Sequence, residues 1–521
     1  MTGFLHAAPR CGSCFSPGGN RMLLSHVRSR MRSNLSAFVA TVTVALFVAT
    51  ALLTGCGSAN LSGGSSTMGP PPPPPAPTTV VLEMTSTAND QFSLFALQIG
   101  SIDLVDQSGG TVNLFTEPPP PQLGALEFTH LNGGATPVLQ ASVPSGVYVG
   151  AKVSIGFSRS SCITVTPAGG IYYDALGYGA SSFPEANLPS PVTLSGRTMV
   201  LTLDLEVSQS ASLASCAIGN SWVVTPTFSM SPVLIATQPT SPETGKIAEL
   251  KGQVSSTTPA SNSMAVTLVD SLQGGGPMMF TTNAHTAYFG VAGLSGLSPG
   301  MFVDLDGEIQ SDGSFLATRI AVEDPTATNA AIGLLLSTSG VAPAFTVANR
   351  QFQGASLPVP FWSYSFSNTT NFQISSEFTN VPALPFSASF TGANMVGGQN
   401  VEVSSLNFPN SGSPYTPATT VTLLPQTING IVSSVSSDGN FAVYTVTLAP
   451  YDLFPTLPAQ TGLGYTLNNA NQVTIYADSS AQMLNSAPIV PGSVLRFHGL
   501  VFNDNGNLRM DCNQVNDGVP E

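Results

Sequence analysis

The 521-residue chain carries only 8% charged residues, against about 25% in an ordinary soluble protein. Hydrophobic residues at 42% exclude the disorder signature of low hydrophobicity with high charge, and 50 Gly with 42 Pro suit many short strands punctuated by turns. The first 55 residues hold five Arg and no acid, so the rest sets nine basic against 28 acidic residues, a net of −19. A body that acidic repels phosphate backbones, which argues against nucleic acid as a partner.

The first element is an export signal over residues 1–55. Arg28, Arg30 and Arg32 precede an uncharged apolar run from Leu35 to Leu53, which ends in Leu53-Thr54-Gly55-Cys56. A positive region, an apolar region and small residues at the cut are the layout of a signal peptide. The tetrapeptide resembles the lipobox of bacterial lipoproteins, in which the Cys thiol is lipidated and becomes the new N-terminus. That resemblance implies a membrane partner through lipid on Cys56. Gly57, where an Asp favours inner-membrane retention in that family, implies the outer membrane. The competing reading is an uncleaved anchor, since nineteen apolar residues just span a bilayer; it gives no reason for Cys56. Cys11-x-x-Cys14 lies upstream of the cut and would be removed with it. Residues 56–79 then read as a tether: a flexible Gly/Ser-rich piece followed by Pro70 to Pro75, a stiff polyproline II rod.

Residues 80–238 read as a β-sandwich. Period-two runs such as Val80 to Met84 and Val200 to Val207 are separated by turn signals such as Gln107-Ser108-Gly109-Gly110. Three stretches, Gln98 to Leu104, Val143 to Tyr148 and Leu201 to Leu205, together with Val223-Val224-Thr225-Pro226, resemble the DUF4382 family of bacterial envelope proteins. The resemblance implies fold and location, not mechanism. Cys162 and Cys216, in an oxidising compartment, are expected to pair, which the chain-entropy picture values at roughly 4 kcal/mol for such a loop; two buried free thiols are the alternative.

The C-terminal half repeats three times, over residues 245–326, 330–425 and 427–516. Each unit opens on a Gly-led strand at Gly252, Gly333 or Gly430. Each later turns into a strand at Gly300, Gly398 or Gly492, spaced 98 and 94 residues apart. This is a domain-sized repeat. Pro299 to Gly307 and Asp312 to Ile320 of the first unit resemble the DUF5666 family. The third unit fits less well, and the second poorly, since Ser405 replaces the strand-final Gly. About five strands per unit imply small OB-like barrels. The expected fold class is therefore mainly β: a sandwich followed by about three small barrels. On the polar face Asp304 and Asp306 correspond to Glu402 and Ser404, then to Arg496 and His498. Apolar positions persist while these change sign, which reads as a solvated face.

Candidate sites are sparse. Asp304, Asp306, Asp312, Glu323 and Asp324 offer oxygens for Ca²⁺ but follow no EF-hand spacing, and acids in turns are ordinarily solvated. After the signal there are three histidines, His130, His285 and His498, far apart in sequence, with no zinc or triad pattern. Phe361, Trp362, Tyr364, Phe366 and Tyr172-Tyr173 suit either a sugar-stacking platform or a β core. Cys512 is either a buried thiol or an intermolecular link. No catalytic residue, metal site or cofactor is expected. The leading reading is a non-enzymatic structural or ligand-binding envelope lipoprotein, with polysaccharide or protein partners. An adhesin or carbohydrate-binding protein is the alternative, and a secreted hydrolase the third reading.

Overall fold

A computed structural model describes residues 76–520, apart from 89, 118–124, 166–170, 176–183, 197, 212–224, 236–245, 271, 273–275, 323, 325, 328, 338–342, 354–360, 377, 379–380, 407–414, 451 and 458–466. The signal segment, Cys56, most of the tether, Cys216 and Glu323 lie outside the described residues. The described chain is mainly β.

Ten strands build the first domain: β1 (Thr78–Thr87), β2 (Leu94–Asp106), β3 (Thr111–Thr116), β4 (Leu126–Glu127), β5 (Ala135–Val143), β6 (Gly146–Val165), β7 (Ile171–Ala175), β8 (Glu185–Leu194), β9 (Thr198–Glu206) and β10 (Phe228–Ile235). One sheet has the order β10-β9-β1-β5, and the other runs β3-β2-β6-β7, with β4 on β2 and β8 on β6. The alternation of the sequence decides what lies between them. Leu82 and Met84 of β1 and Leu201, Leu203 and Leu205 of β9 point into one apolar layer with Phe95, Leu97 and Ile102 of β2. Each such side chain removed from water contributes about 1.5–3 kcal/mol. The opposite face of the first sheet carries Val81, Glu83 and Thr85 directly beside Val200, Thr202 and Asp204.

The next strands are β11 (Lys246–Thr258), β12 (Ser263–Leu268), β13 (Met278–Thr281), β14 (Ala287–Phe289), β15 (Phe302–Ile309) and β16 (Phe315–Ala321). Five of them close a ring, β11-β12-β13-β16-β15, through the parallel pair β13/β16. The second unit has β17 (Asn329–Ser337), β18 (Ala344–Gln353), β19 (Phe361–Ser365), β20 (Asn371–Ile374), β21 (Asn400–Ser405), β22 (Thr416–Pro417) and β23 (Thr420–Leu423). Its fifth strand comes in two pieces: β22 pairs in parallel with β19, and β23 pairs with β21. The third unit has β24 (Gln426–Asp438), β25 (Phe441–Thr447), β26 (Gln472–Met483), β27 (Val494–Asp504) and β28 (Asn507–Asp517), which form a closed barrel. All three share one order, first-second-third-fifth-fourth, with third and fifth strands parallel. That is the OB-like topology.

The repeated glycines have one physical cause each. A Cβ at Gly252, Gly333 or Gly430 would meet the second strand of its own barrel, at 2.4 Å from Val266 Cγ1, 1.8 Å from the Ala348 carbonyl oxygen and 2.6 Å from Val446 Cγ1. Gly300, Gly398 and Gly492 hold φ of 94°, 100° and 96° in the turn before the fourth strand, a region that L side chains avoid. The exception at Ser405 is also explained. Gly307 lies where a Cβ would be 2.6 Å from the Leu316 carbonyl oxygen of the fifth strand, whereas β21 and β23 stop pairing at Ser404 and Thr420. Cys512 is buried in the third core, which pushes its thiol up to about 12. This is the buried-thiol alternative of the sequence reading.

Candidate functional site

The four domains meet around a cavity of about 780 Å³. Each boundary is sealed by a specific contact. Val81 and Val200 of the sandwich join the apolar core of the first barrel, and the Gln140 side chain donates to the Gly313 carbonyl at 2.7 Å. Leu94 and Ala96 pack with Leu334, Leu336 and Ala348 of the second barrel. Arg496 of the third barrel donates to Asn132 Oδ1 at 2.8 Å, and Gln514 donates to the Gly133 carbonyl at 2.7 Å. Between the second and third barrels, Gln399 donates to the Val501 carbonyl at 2.9 Å, and Phe386 lies 5.7 Å from Phe502, ring to ring.

Asp306, Arg496 and His498 line this cavity, whereas Asp304, Glu402 and Ser404 line a smaller pocket between the first two barrels, and here the sequence expectation of a solvated face is corrected. Asp304, His498 and Arg319 are only 2%, 7% and 8% exposed, and Glu402 and Ser404 are buried too. Asp304 Oδ2 pairs with the Lys251 ammonium. Arg319 Nη1 stands 3.4 Å from Asp306 Oδ2 and 3.8 Å from Asp304 Oδ1. Burial, then the charge of Asp304, raises the Asp306 carboxyl above its usual range. Signs change between units because each barrel turns this face to a different neighbour. Asp304 meets cations of its own barrel, whereas Arg496 reaches the sandwich and His498 Nε2 reaches Glu249 Oε1 of the first barrel at 2.8 Å.

Glu249 holds φ at 58°, in an irregular stretch where β11 shifts register against β15 between Ile247 and Leu250. A side-chain-bearing residue there is strained by roughly 1–2 kcal/mol. The bend lets its N–H donate to Asp306 Oδ1 at 2.9 Å while its carboxylate reaches His498. Burial opposes its ionisation, but His498 followed by Lys251 and Arg319 outweighs burial and lowers its pKa.

His130 forms a second cluster. Its Nδ1 lies 2.9 Å from Glu127 Oε2 and its Nε2 3.1 Å from Asp270 Oδ2 of the first barrel. Gln351 of the second barrel donates to Asp270 and lies 2.9 Å from His130 Nε2. Burial opposes the charged imidazole, yet Asp270 and Glu127 hold it up at about 9. Burial likewise opposes the Glu127 carboxylate, and His130, Arg350 and Thr129 hold it down at about 2.

Glu249, His498 and Thr427 line up as carboxylate, imidazole and hydroxyl, with His498 Nδ1 2.9 Å from Thr427 Oγ1. A nucleophile needs a free, approachable oxygen. The Thr427 hydroxyl instead donates to the Asn132 carbonyl, and Gly133 is packed over it. Among the described residues lining the cavity there is no Phe, Tyr or Trp; hydroxyl, amide and paired charged side chains dominate.

The expected candidates scatter. Asp306 lines the cavity, Asp304 lies in a smaller pocket with Asp324, Asp312 holds the Ser314 N–H at 2.9 Å in an exposed turn, and Asp324 accepts from Thr326, Thr419 and Thr420. No group of three or more His, Cys, Asp or Glu among the described residues is placed to hold a metal ion. Trp362 and Tyr364 are buried in the second core with Phe345, and Phe366 packs against it; of Tyr172 and Tyr173 only the strand is described. His130 and His498, far apart in sequence, line the same cavity, while His285 is exposed. Cys162 is buried on β6 and disulfide-bonded, and Cys216 lies outside the described residues. Lys251, Glu249 and Asp270 lie in no stretch the sequence singled out, and Arg319 lies in the Asp312 to Ile320 stretch without any signal for its charge. No curated protein matches the chain. A family model described as a domain of unknown function (DUF5666) matches residues 251–321, the first barrel from mid-β11 to the end of β16.

Proposed function

We propose that the chain is a lipid-anchored protein of the bacterial cell envelope with a non-enzymatic, structural or ligand-binding role. The observation that carries the anchoring is Cys56 directly after Leu53-Thr54-Gly55, at the end of the apolar run that starts at Leu35. The Gly/Ser and proline tether holds the folded body off the membrane, and Gly57 favours the outer membrane. The sandwich is taken to be of the DUF4382 type, and Cys162 to pair with Cys216. The body offers its polar cavity to a ligand such as an envelope polysaccharide or a protein segment. Its charged groups support binding over catalysis, because they are engaged with one another, Lys251 with Asp304 inside the first barrel and His130 with Asp270 and His498 with Glu249 across domain boundaries.

Replacing Cys56 by Ser tests the anchor. The wild-type protein is expected in the membrane fraction with an N-terminal peptide that begins at residue 56 and carries lipid mass. The variant is expected to accumulate as an unprocessed precursor without lipid. A Cys56→Ser protein that is cleaved and retained like the wild type would sink the proposal.

A further inference from the structure

We propose that the contact between the sandwich and the first two barrels is locked by protons on His130 and Glu83, so that alkaline pH loosens the junction. The inference is independent of the lipid anchor and rests on where these two groups sit. His130 stands between domains. Its neighbours are Glu127 and Thr129 from its own segment, Asp270 from the first barrel, and Arg350 and Gln351 from the second. With the ring charged, each carboxylate faces a cation. Once it is neutral, Glu127 and Asp270 share a buried site whose other cation is Arg350, itself directed by its Nε to the Ser93 carbonyl at 2.9 Å and within the field of Asp90.

Glu83 lies on the outer face of the sandwich, on the strand pair whose Val81 and Val200 pack into the first barrel. It is 6% exposed, its Oε2 is 3.4 Å from the Thr202 hydroxyl, and Asp204 lies two residues further along the neighbouring strand. A carboxylate in that position has one weak donor and no cation within ion-pair distance among the described residues. Burial therefore favours its neutral form.

Both groups act in the same direction. Burial raises Glu83 from 4.5 to about 7, so the folded junction prefers it protonated. That preference is complete below 4.5 and is lost as pH rises through 7. His130, raised from 6.5 to about 9 by Asp270 and Glu127, contributes fully below 6.5 and loses its contribution as pH passes 9. Opening the junction returns each group to its ordinary value. The opening equilibrium is thus expected to rise by at least about 100-fold between pH 5 and pH 9.5.

The test uses the full chain in urea titrations at pH 5.5, 7.5 and 9.5, with the radius of gyration from X-ray scattering and β content followed together. The wild type should expand at progressively lower urea as pH rises, before β content is lost. Glu83→Gln, which mimics the protonated side chain and keeps its volume, should remove about half or more of the change between pH 5.5 and 7.5, the rest being the onset of the His130 contribution above 6.5, and leave the later one. His130→Gln should start less stable and be flat between pH 7.5 and 9.5. A wild-type expansion midpoint that stays constant over the whole range overturns the proposal, and so does an unchanged pH slope in Glu83→Gln. The wild-type series decides the matter alone if His130→Gln fails to fold.

Discussion

Asp304→Asn is expected to destabilise the folded chain by about 3–5 kcal/mol, read as a lower urea midpoint with an unchanged slope. Asn keeps the shape but removes the charge that faces the Lys251 ammonium and stands 3.8 Å from Arg319. All three residues are under a tenth exposed, so water cannot replace the lost carboxylate. The cost is that of a buried cation deprived of its counter-charge, not the net worth of the pair, and the two differ widely. Replacing both partners, as in Lys251→Met with Asp304→Leu, should therefore recover more than half of the loss. If the single variant matches wild type, the face is solvated after all.

The second large effect is steric. Gly333→Ala and Gly499→Ala are each expected to cost about 3 kcal/mol or more. A Cβ at Gly333 would lie 1.8 Å from the Ala348 carbonyl oxygen, and one at Gly499 would lie 1.9 Å from that of Asp511. Those atoms are strand backbone of the same barrel and are held by ladder bonds, so they cannot rotate away as a side-chain tip would. Gly439 supplies the control. Its φ is 58°, but open space surrounds the added carbon, so Gly439→Ala should cost only about 1 kcal/mol. Comparable midpoints for Gly333→Ala and Gly439→Ala would contradict the close crossing of strands.

These two predictions mark what the sequence made legible. Glycines that lead strands and glycines that turn into them were visible as a threefold repeat, because close backbone approach and left-handed φ are local demands that few residues meet. Period-two alternation likewise gave the inward faces, as in Leu201, Leu203 and Leu205. What an outward face meets is not written in its own alternation. Thr202 and Asp204 alternate with leucines whether the polar side meets water or another domain, and here the first barrel packs over that sheet face. Asp304 and Arg496 occupy equivalent places with opposite charge because their neighbours differ, and no single chain segment records its neighbour. His130 and Asp270 are 140 residues apart, so their meeting is a product of assembly.

The barrels and the sandwich are parts of one body rather than beads on a string. A double-mutant cycle between Glu249 and His498, one on the first barrel and one on the third, tests this most directly. Urea midpoints of Glu249→Gln, His498→Gln and the double variant, all at pH 6, give the coupling. A contact at 2.8 Å predicts a coupling energy of about 1–2 kcal/mol. Strict additivity, within about 0.3 kcal/mol, would mean that the two barrels do not meet and that no shared cavity exists.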